Sequence, residues 1–341
     1  MAKTGSISNA TLNPNTGSID GAKTPRPAMG ISPATIAELR RNPRFFEARQ
    51  SAGLQIVSDH TGSRLLNSVV NDRGRFMIVM FAQYLHHAVL PGESEAGLTV
   101  GRLRRLCAET GIASPGRATA MLNLMRFAGY VRVASGNGDR RRRVLVPAER
   151  LLALQRRRWS RHLTALSLVM PEGSEGLRFF CEPWFESGLV RNMVGEFIRG
   201  FRFADFVPEL APYFERNGAL ITLLQLAMIA DRDVSDAAPL TISRLASQFG
   251  IARTQVRNIL DDAENGGLIE RTGIAGAPIV ALPRLADAID RFLATSFFYT
   301  AHSVRLAIDE RDQIKTAEPT FPSVEYHGPK PRMPLAGDVV G

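Results

Sequence analysis

One stretch of this chain recurs, and the recurrence constrains the fold more than any other feature. Arg105-Leu106-Cys107-Ala108-Glu109-Thr110-Gly111-Ile112-Ala113 returns as Arg244-Leu245-Ala246-Ser247-Gln248-Phe249-Gly250-Ile251-Ala252. Downstream, Met121-Leu122 and Gly129-Tyr130-Val131 match Ile259-Leu260 and Gly267-Leu268-Ile269, and the run ending at Pro147 is answered by the run ending at Pro283. The approach repeats too, since Arg44-Phe45-Phe46-Glu47 echoes Arg178-Phe179-Phe180-Cys181. The spacing is too long for a solenoid repeat and predicts a duplicated domain. Each copy predicts a helix, a glycine turn, a second helix and a hairpin, the outline of a helix-turn-helix reader of DNA.

The second copy carries the plainest local signals. Thr241 is an N-cap, Ile242, Leu245 and Phe249 form an apolar stripe, and Gly250 ends the helix. Val256, Ile259, Leu260 and Ala263 keep helical spacing on a buried face, which leaves Arg253, Thr254, Gln255, Arg257 and Asn258 outside. Gly266-Gly267 breaks that helix before strands at 268–271 and 278–282. In the first copy Thr99 caps a helix ending at Gly111, and Ser114-Pro115 opens the next with cap and N1 proline together. Ala118, Met121, Leu122 and Met125 face inward. Ser114, Gly116, Arg117, Thr119, Ala120 and Asn123 are its candidate DNA contacts. Strands at 130–133 and 140–146 complete its wing.

Flanking segments follow the same logic. Ser32-Pro33 opens a helix over 34–41, and apolar spacing predicts helices over 44–52, 63–71 and 75–88. Pro171-Glu172-Gly173-Ser174-Glu175-Gly176 reads as a turn-rich linker, followed by helices over 177–200, 203–215 and 218–231. The expected organisation is a tail over 1–33, a first domain over 34–170, a second over 171–314 and a tail over 315–341. Both tails are rich in small polar residues or proline and are expected to be disordered.

The chain of 341 residues has a net charge of +9, and nearly all of its basic side chains are arginine. That favours a polyanionic partner and suits bidentate contacts to phosphate and guanine. The surplus is uneven. Residues 98–166 hold 15 arginines and three acids, a balance of +12, whereas residues 240–303 hold six of each. Phosphate neutralisation dominates affinity, so the first copy is expected to carry most of it. Asp139-Arg140-Arg141-Arg142-Arg143 follows the Gly136-Asn137-Gly138 turn, where a flexible basic tip suits a narrow minor groove. The second copy is expected to read bases weakly through Arg253, Gln255, Arg257 and Asn258, or to serve as a scaffold.

The turn at Gly111-Ile112-Ala113-Ser114, the helix after it, and Asp139 to Pro147 with Ala148-Glu149-Arg150-Leu151-Leu152 resemble the multiple-antibiotic-resistance regulator (MarR) family of winged-helix repressors. The resemblance covers roughly 75–165 and more loosely 218–300. It implies an Asp–Arg pair at Asp139 and Arg141, with an arginine reaching the minor groove, and a long helix after the wing. Members of the family are usually dimers of single units, whereas this chain carries two units. Its second copy lacks the Asp-x-Arg wing.

Other chemistry is poorly represented. The histidines are scattered, no phosphate-binding loop or nucleophile elbow occurs, and neither a catalytic residue, a metal nor a cofactor is expected. Cys107 and Cys181 cannot build a disulfide framework and are expected as buried thiols. Residues 1–33 lack a signal-type apolar segment, and the longest uncharged apolar run, 219–230, is too short to span a bilayer. The expected location is the cytoplasm, at the nucleoid. Arg156-Arg157-Arg158-Trp159-Ser160-Arg161 spreads charge around a helix, some of it expected on phosphate, and without the segregated apolar face of a membrane-binding helix. Phe179, Phe180, Trp184, Phe185, Phe197, Phe201, Phe203, Phe206 and Phe214 are expected to pack between units or at a dimer interface, or to line an effector pocket.

The sequence thus predicts a mainly α protein with small β wings and tandem winged helix-turn-helix domains, acting as a transcription regulator on double-stranded DNA. A second copy, the transcription machinery or a small-molecule effector are possible further partners. The alternatives are a plasmid-type replication initiator with paired winged helices and a winged-helix protein-interaction adaptor.

Overall fold

Each copy in the computed structural model contains an opening helix, two shorter helices joined by a tight turn, a two-stranded antiparallel sheet and a long closing helix. The structure describes residues 29–61, 67, 71–88, 97–134, 143–230, 240–271 and 279–317, with side chains to 313. In the first copy these elements are α3 (Arg73–His87), α4 (Val100–Glu109), α5 (Pro115–Phe127), β1 (Val131–Val133), β2 (Leu145–Pro147) and α6 (Glu149–Leu166). In the second they are α10 (Ala219–Ala230), α11 (Ile242–Phe249), α12 (Arg253–Asn265), β3 (Ile269–Arg271), β4 (Ile279–Ala281) and α13 (Pro283–Ala317). The strands pair Val131 with Pro147 and Ile269 with Ala281. The protein is mainly helical, with two small sheets among the described residues.

Local rules set these boundaries. Thr99, Ser114 and Thr241 each accept a hydrogen bond from the backbone N–H three residues on, satisfying a donor the helix cannot. Gly250 closes α11 at φ 66°, a conformation that disfavours any residue with a Cβ.

Before each copy comes a lead-in. The first comprises α1 (Pro33–Arg40) and α2 (Phe45–His60), the second α7 (Pro171–Arg178), α8 (Pro183–Ile198) and, after two 3₁₀ turns, the single-turn α9 (Ala211–Phe214). Each lead-in packs on both copies. Helix α2 packs on α6 of its own copy and on α10 of the other, while α8 packs on α13 of its own copy and on α3 of the other. Buried apolar side chains from both copies therefore form one continuous core, in which Phe81 meets Phe197 at 5.9 Å and Phe45 meets Phe297 at 6.5 Å. The expected boundary at 170/171 separates two stretches of sequence but not two cores.

Several expectations need correction. Residues 171–176 are no linker but most of α7, because Pro171 sits at N1, where its missing N–H costs nothing. The helix expected over 177–200 breaks at Pro183, whose ring opens α8 instead of continuing α7. The helix expected over 203–215 is two 3₁₀ turns and a single α turn, interrupted by Pro208 and Pro212. Helix α2 runs to His60 rather than 52. The ends of both expected tails belong to described structure: Met29 is buried, Ser32 caps α1, and α13 continues through residues 315–317, while residues 1–28 and 318–341 lie outside the described residues. Cys107 is buried, but Cys181 is exposed in the turn before Pro183. All but Asn67 and Asn71 of the helix expected over 63–71 lie outside the described residues. The aromatics over 179–214 pack within and between units, as in the stacked pair Phe201–Tyr299 at 4.5 Å.

Candidate nucleic-acid interface

Two helices, α5 and α12, present one face to the core and one to solvent. On α5 the buried face is Ala118, Met121, Leu122 and Met125. Gly116, Ala120, Asn123 and Phe127 follow one another at helical spacing on the exposed side. Phe127 is 88% exposed, which is exceptional for a large apolar ring. Small residues at 116 and 120 let the backbone approach a flat surface closely. Ser114 caps the helix, its Oγ accepting from the Arg117 N–H at 3.3 Å, and the Thr119 hydroxyl donates to the Pro115 carbonyl at 2.9 Å.

Arginines on adjoining elements reinforce this face. Arg104 on α4, Arg126 on α5, Arg132 on β1 and Arg143 before β2 are exposed, with no partner among the described residues. Not every arginine in the basic window is free. Arg102 is buried under the first copy, donating to the Leu85 carbonyl at 3.1 Å and the Ala88 carbonyl at 2.9 Å, where it satisfies the last carbonyls of α3. Arg150 donates to the Ala128 carbonyl at 2.8 Å and stacks over Tyr130.

The Arg156–Arg161 run departs most from expectation. Arg156 pairs with Glu186 at 2.5 Å and with Glu149 at 3.1 Å, and its pKa rises through the Glu186 hydrogen bond. Arg157, Arg158 and Arg161 surround the buried Asp59 carboxylate at 3.6, 4.0 and 3.3 Å. Burial lowers the pKa of Arg158, against the pull of Asp59. A buried carboxylate recruits counter-charge, so these arginines join α6 to α2 and α8, while Arg157 and Arg161 stay about half exposed.

On α12, Arg253, Thr254, Arg257 and Asn258 are exposed, as expected. Gln255 is not: it is partly buried and its Nε2 donates to the Asn217 carbonyl at 2.5 Å. Arg117 is likewise engaged, its Nη2 lying 3.3 Å from Oδ1 of buried Asp72. The surroundings of α12 are more acidic than those of α5. Asp261 and Glu264 hold Arg271 of β3, with Asp261 at 2.8 Å, and the Arg271 hydrogen bond lowers the Glu264 pKa. Asp262 holds Arg216. Asp139, Arg140, Arg141 and Arg142 lie outside the described residues.

Asp72 and Asn67 escaped the sequence reading. An Asn-Asp pair ahead of the apolar run at 76–82 is an N-cap signal, and Asp72 indeed accepts from the Arg75 N–H at 2.8 Å.

Among the described residues no helix is long and apolar enough to cross a membrane, and no cluster of His, Cys, Asp and Glu could hold a metal ion. A cleft lined by Gln83, Gln155, Trp159 and Phe185 has a volume of about 30 Å³, room for water rather than for an effector. Comparisons with known protein families, curated proteins and solved structures find no match to this chain.

Proposed function

We propose that this protein is a sequence-specific transcription regulator that binds double-stranded DNA through tandem winged helices of the MarR type. The observation that carries the reading is the outer face of α5. Gly116, Ala120 and Asn123 face solvent there, beside exposed arginines, on the helix and on both neighbouring elements, that have no partner among the described residues. Small and amide side chains suit the floor of a major groove, and arginines beside them suit its phosphate walls. In this reading β1, β2 and the Asp139–Arg143 tip form a wing in the minor groove. Helix α12, with Arg253, Thr254, Arg257 and Asn258 outward, addresses a second major groove about 34 Å further on.

The test is genome-wide mapping of sites bound by the full chain, paired with binding to the enriched sequence across a salt series. Enrichment at promoters and a steep loss of affinity with salt are expected. Enrichment confined to repeats at a replication origin makes the protein an initiator with the same DNA chemistry. No enriched site, together with salt-independent capture of a protein, makes it an adaptor.

A further inference from the structure

Arg117 and Gln255 occupy the same position of the repeat, four residues before Met121 and Ile259 respectively. Gln255 is partly buried and Arg117 half exposed, and each reaches the same element of its own copy. Arg117 reaches Asp72, the N-cap of α3, and Gln255 reaches the Asn217 carbonyl, two residues before α10. These two helix starts touch. The Gly218 N–H donates to the Asn71 carbonyl at 2.8 Å, and Arg73, the first residue of α3, pairs with Glu215. The space is tight: a Cβ on Gly74 would lie 3.3 Å from Asp72 Oδ1 and 3.4 Å from Arg117 Nη2. A single polar bridge therefore runs from α5 through Asp72, Asn71, Gly218 and Asn217 to α12.

We infer that Arg117 and Gln255 are positioning residues that fasten the two outward helices to this central bridge, and that the bridge sets the half-site spacing the protein accepts. The inference rests on the DNA-reading function proposed above. Its physical basis is that a directional hydrogen bond or ion pair to a buried, capped helix start restrains a helix more than a surface ion pair does. Asp72 is buried and belongs to the bridge rather than to the outer face, so an effect of changing it on DNA choice would have to act through the helices it holds.

The experiment selects duplexes from a random library with the full-length wild type and with Asp72→Asn, Arg117→Ala and Gln255→Ala, then sequences them. Asparagine still caps a helix, so Asp72→Asn keeps α3 while removing the charge that holds Arg117. The wild type is expected to enrich two half-sites at one separation. In each variant the fraction at that separation should fall by roughly threefold or more, with base preferences inside each half-site retained. In the absence of DNA, amide exchange at Gly218 should quicken by on the order of tenfold in Asp72→Asn, as local opening becomes easier. Loss of one base column with the separation intact would make Arg117 and Gln255 readers and overturn the inference. An unchanged separation, or unchanged Gly218 exchange, also overturns it. A wild type that enriches no sequence removes the DNA-reading function itself, which is a different failure.

Discussion

The Asn67 side chain joins the two copies by donating from Nδ2 to the Phe249 carbonyl at 2.9 Å, across 182 positions of sequence. The same nitrogen donates to the His60 carbonyl at 2.7 Å, so one buried amide ties the end of α2 to the end of α11. Asn67→Ala leaves two carbonyls without that donor and should cost roughly 1–3 kcal/mol. Because the copies share a core, wild type and variant should each unfold in one step, with far-ultraviolet circular dichroism and the fluorescence of Trp159 and Trp184 coinciding. Two separated transitions would contradict the shared core.

The basic tip of the first copy should act through phosphate. Replacing Arg140–Arg143 with alanine is expected to weaken binding to all duplexes alike and to flatten the log–log salt dependence by about 0.9 for each phosphate no longer neutralised. Titration at several salt concentrations checks this, and an unchanged slope would remove the tip from the interface.

Asn123 is exposed one helical turn beyond Ala120 and is positioned for direct readout. Asn123→Ala should cost on the order of 1–3 kcal/mol at the selected sequence and far less on random DNA. Equal losses on both would make Asn123 a backbone contact.

Helix α12 carries the right outward residues amid acidic neighbours, so its contribution should be directional rather than bulk. Arg253→Ala combined with Arg257→Ala is expected to shorten the protected footprint on one side while leaving non-specific affinity nearly intact. A full-length footprint from the double variant would assign the second copy to scaffolding.

Stability should fall in mild acid. His162 lies between Trp159 and Phe297, with ring centroids 6.5 and 5.4 Å away, and burial holds its pKa down at about 4. Unfolded histidine titrates near about 6.5, so between these values the unfolded chain binds the extra proton. The contribution of His162 is therefore complete above about 6.5 and declines as the pH falls toward 4. His162→Phe, which retains a ring between its neighbours, should flatten the dependence of the thermal midpoint across that window. An unchanged slope would assign the acid sensitivity to other groups.

Features governed by nearest neighbours in sequence were legible. The caps at Thr99, Ser114 and Thr241, the left-handed Gly250 and the inward faces of α5 and α12 all follow from local rules, and all lie where the spacing placed them. The segment 171–176 misled because its glycines resemble turn residues. Their reason is packing: a Cβ on Gly173 would lie 2.1 Å from the Ser167 nitrogen, and one on Gly176 would lie 2.8 Å from Leu163. The packing of α2 and α8 against both copies was invisible, because an apolar stripe declares that a partner exists and not which one. Arg117 is exposed as its spacing has it, but Gln255 is partly buried, and periodicity alone registers neither the Asp72 carboxylate nor the Asn217 carbonyl that these side chains reach.

The lead-ins shared between the copies have a consequence for how the protein responds to its own abundance. Its two outward helices are secured to a single core, so their pairing is intramolecular and dilution cannot part them. A two-armed reader assembled from separate chains must first associate, and its active fraction vanishes at low copy number. On the proposed DNA-reading function, and with the single chain as the binding unit, occupancy of a two-part target would rise with the first power of concentration, down to the scarcest cell.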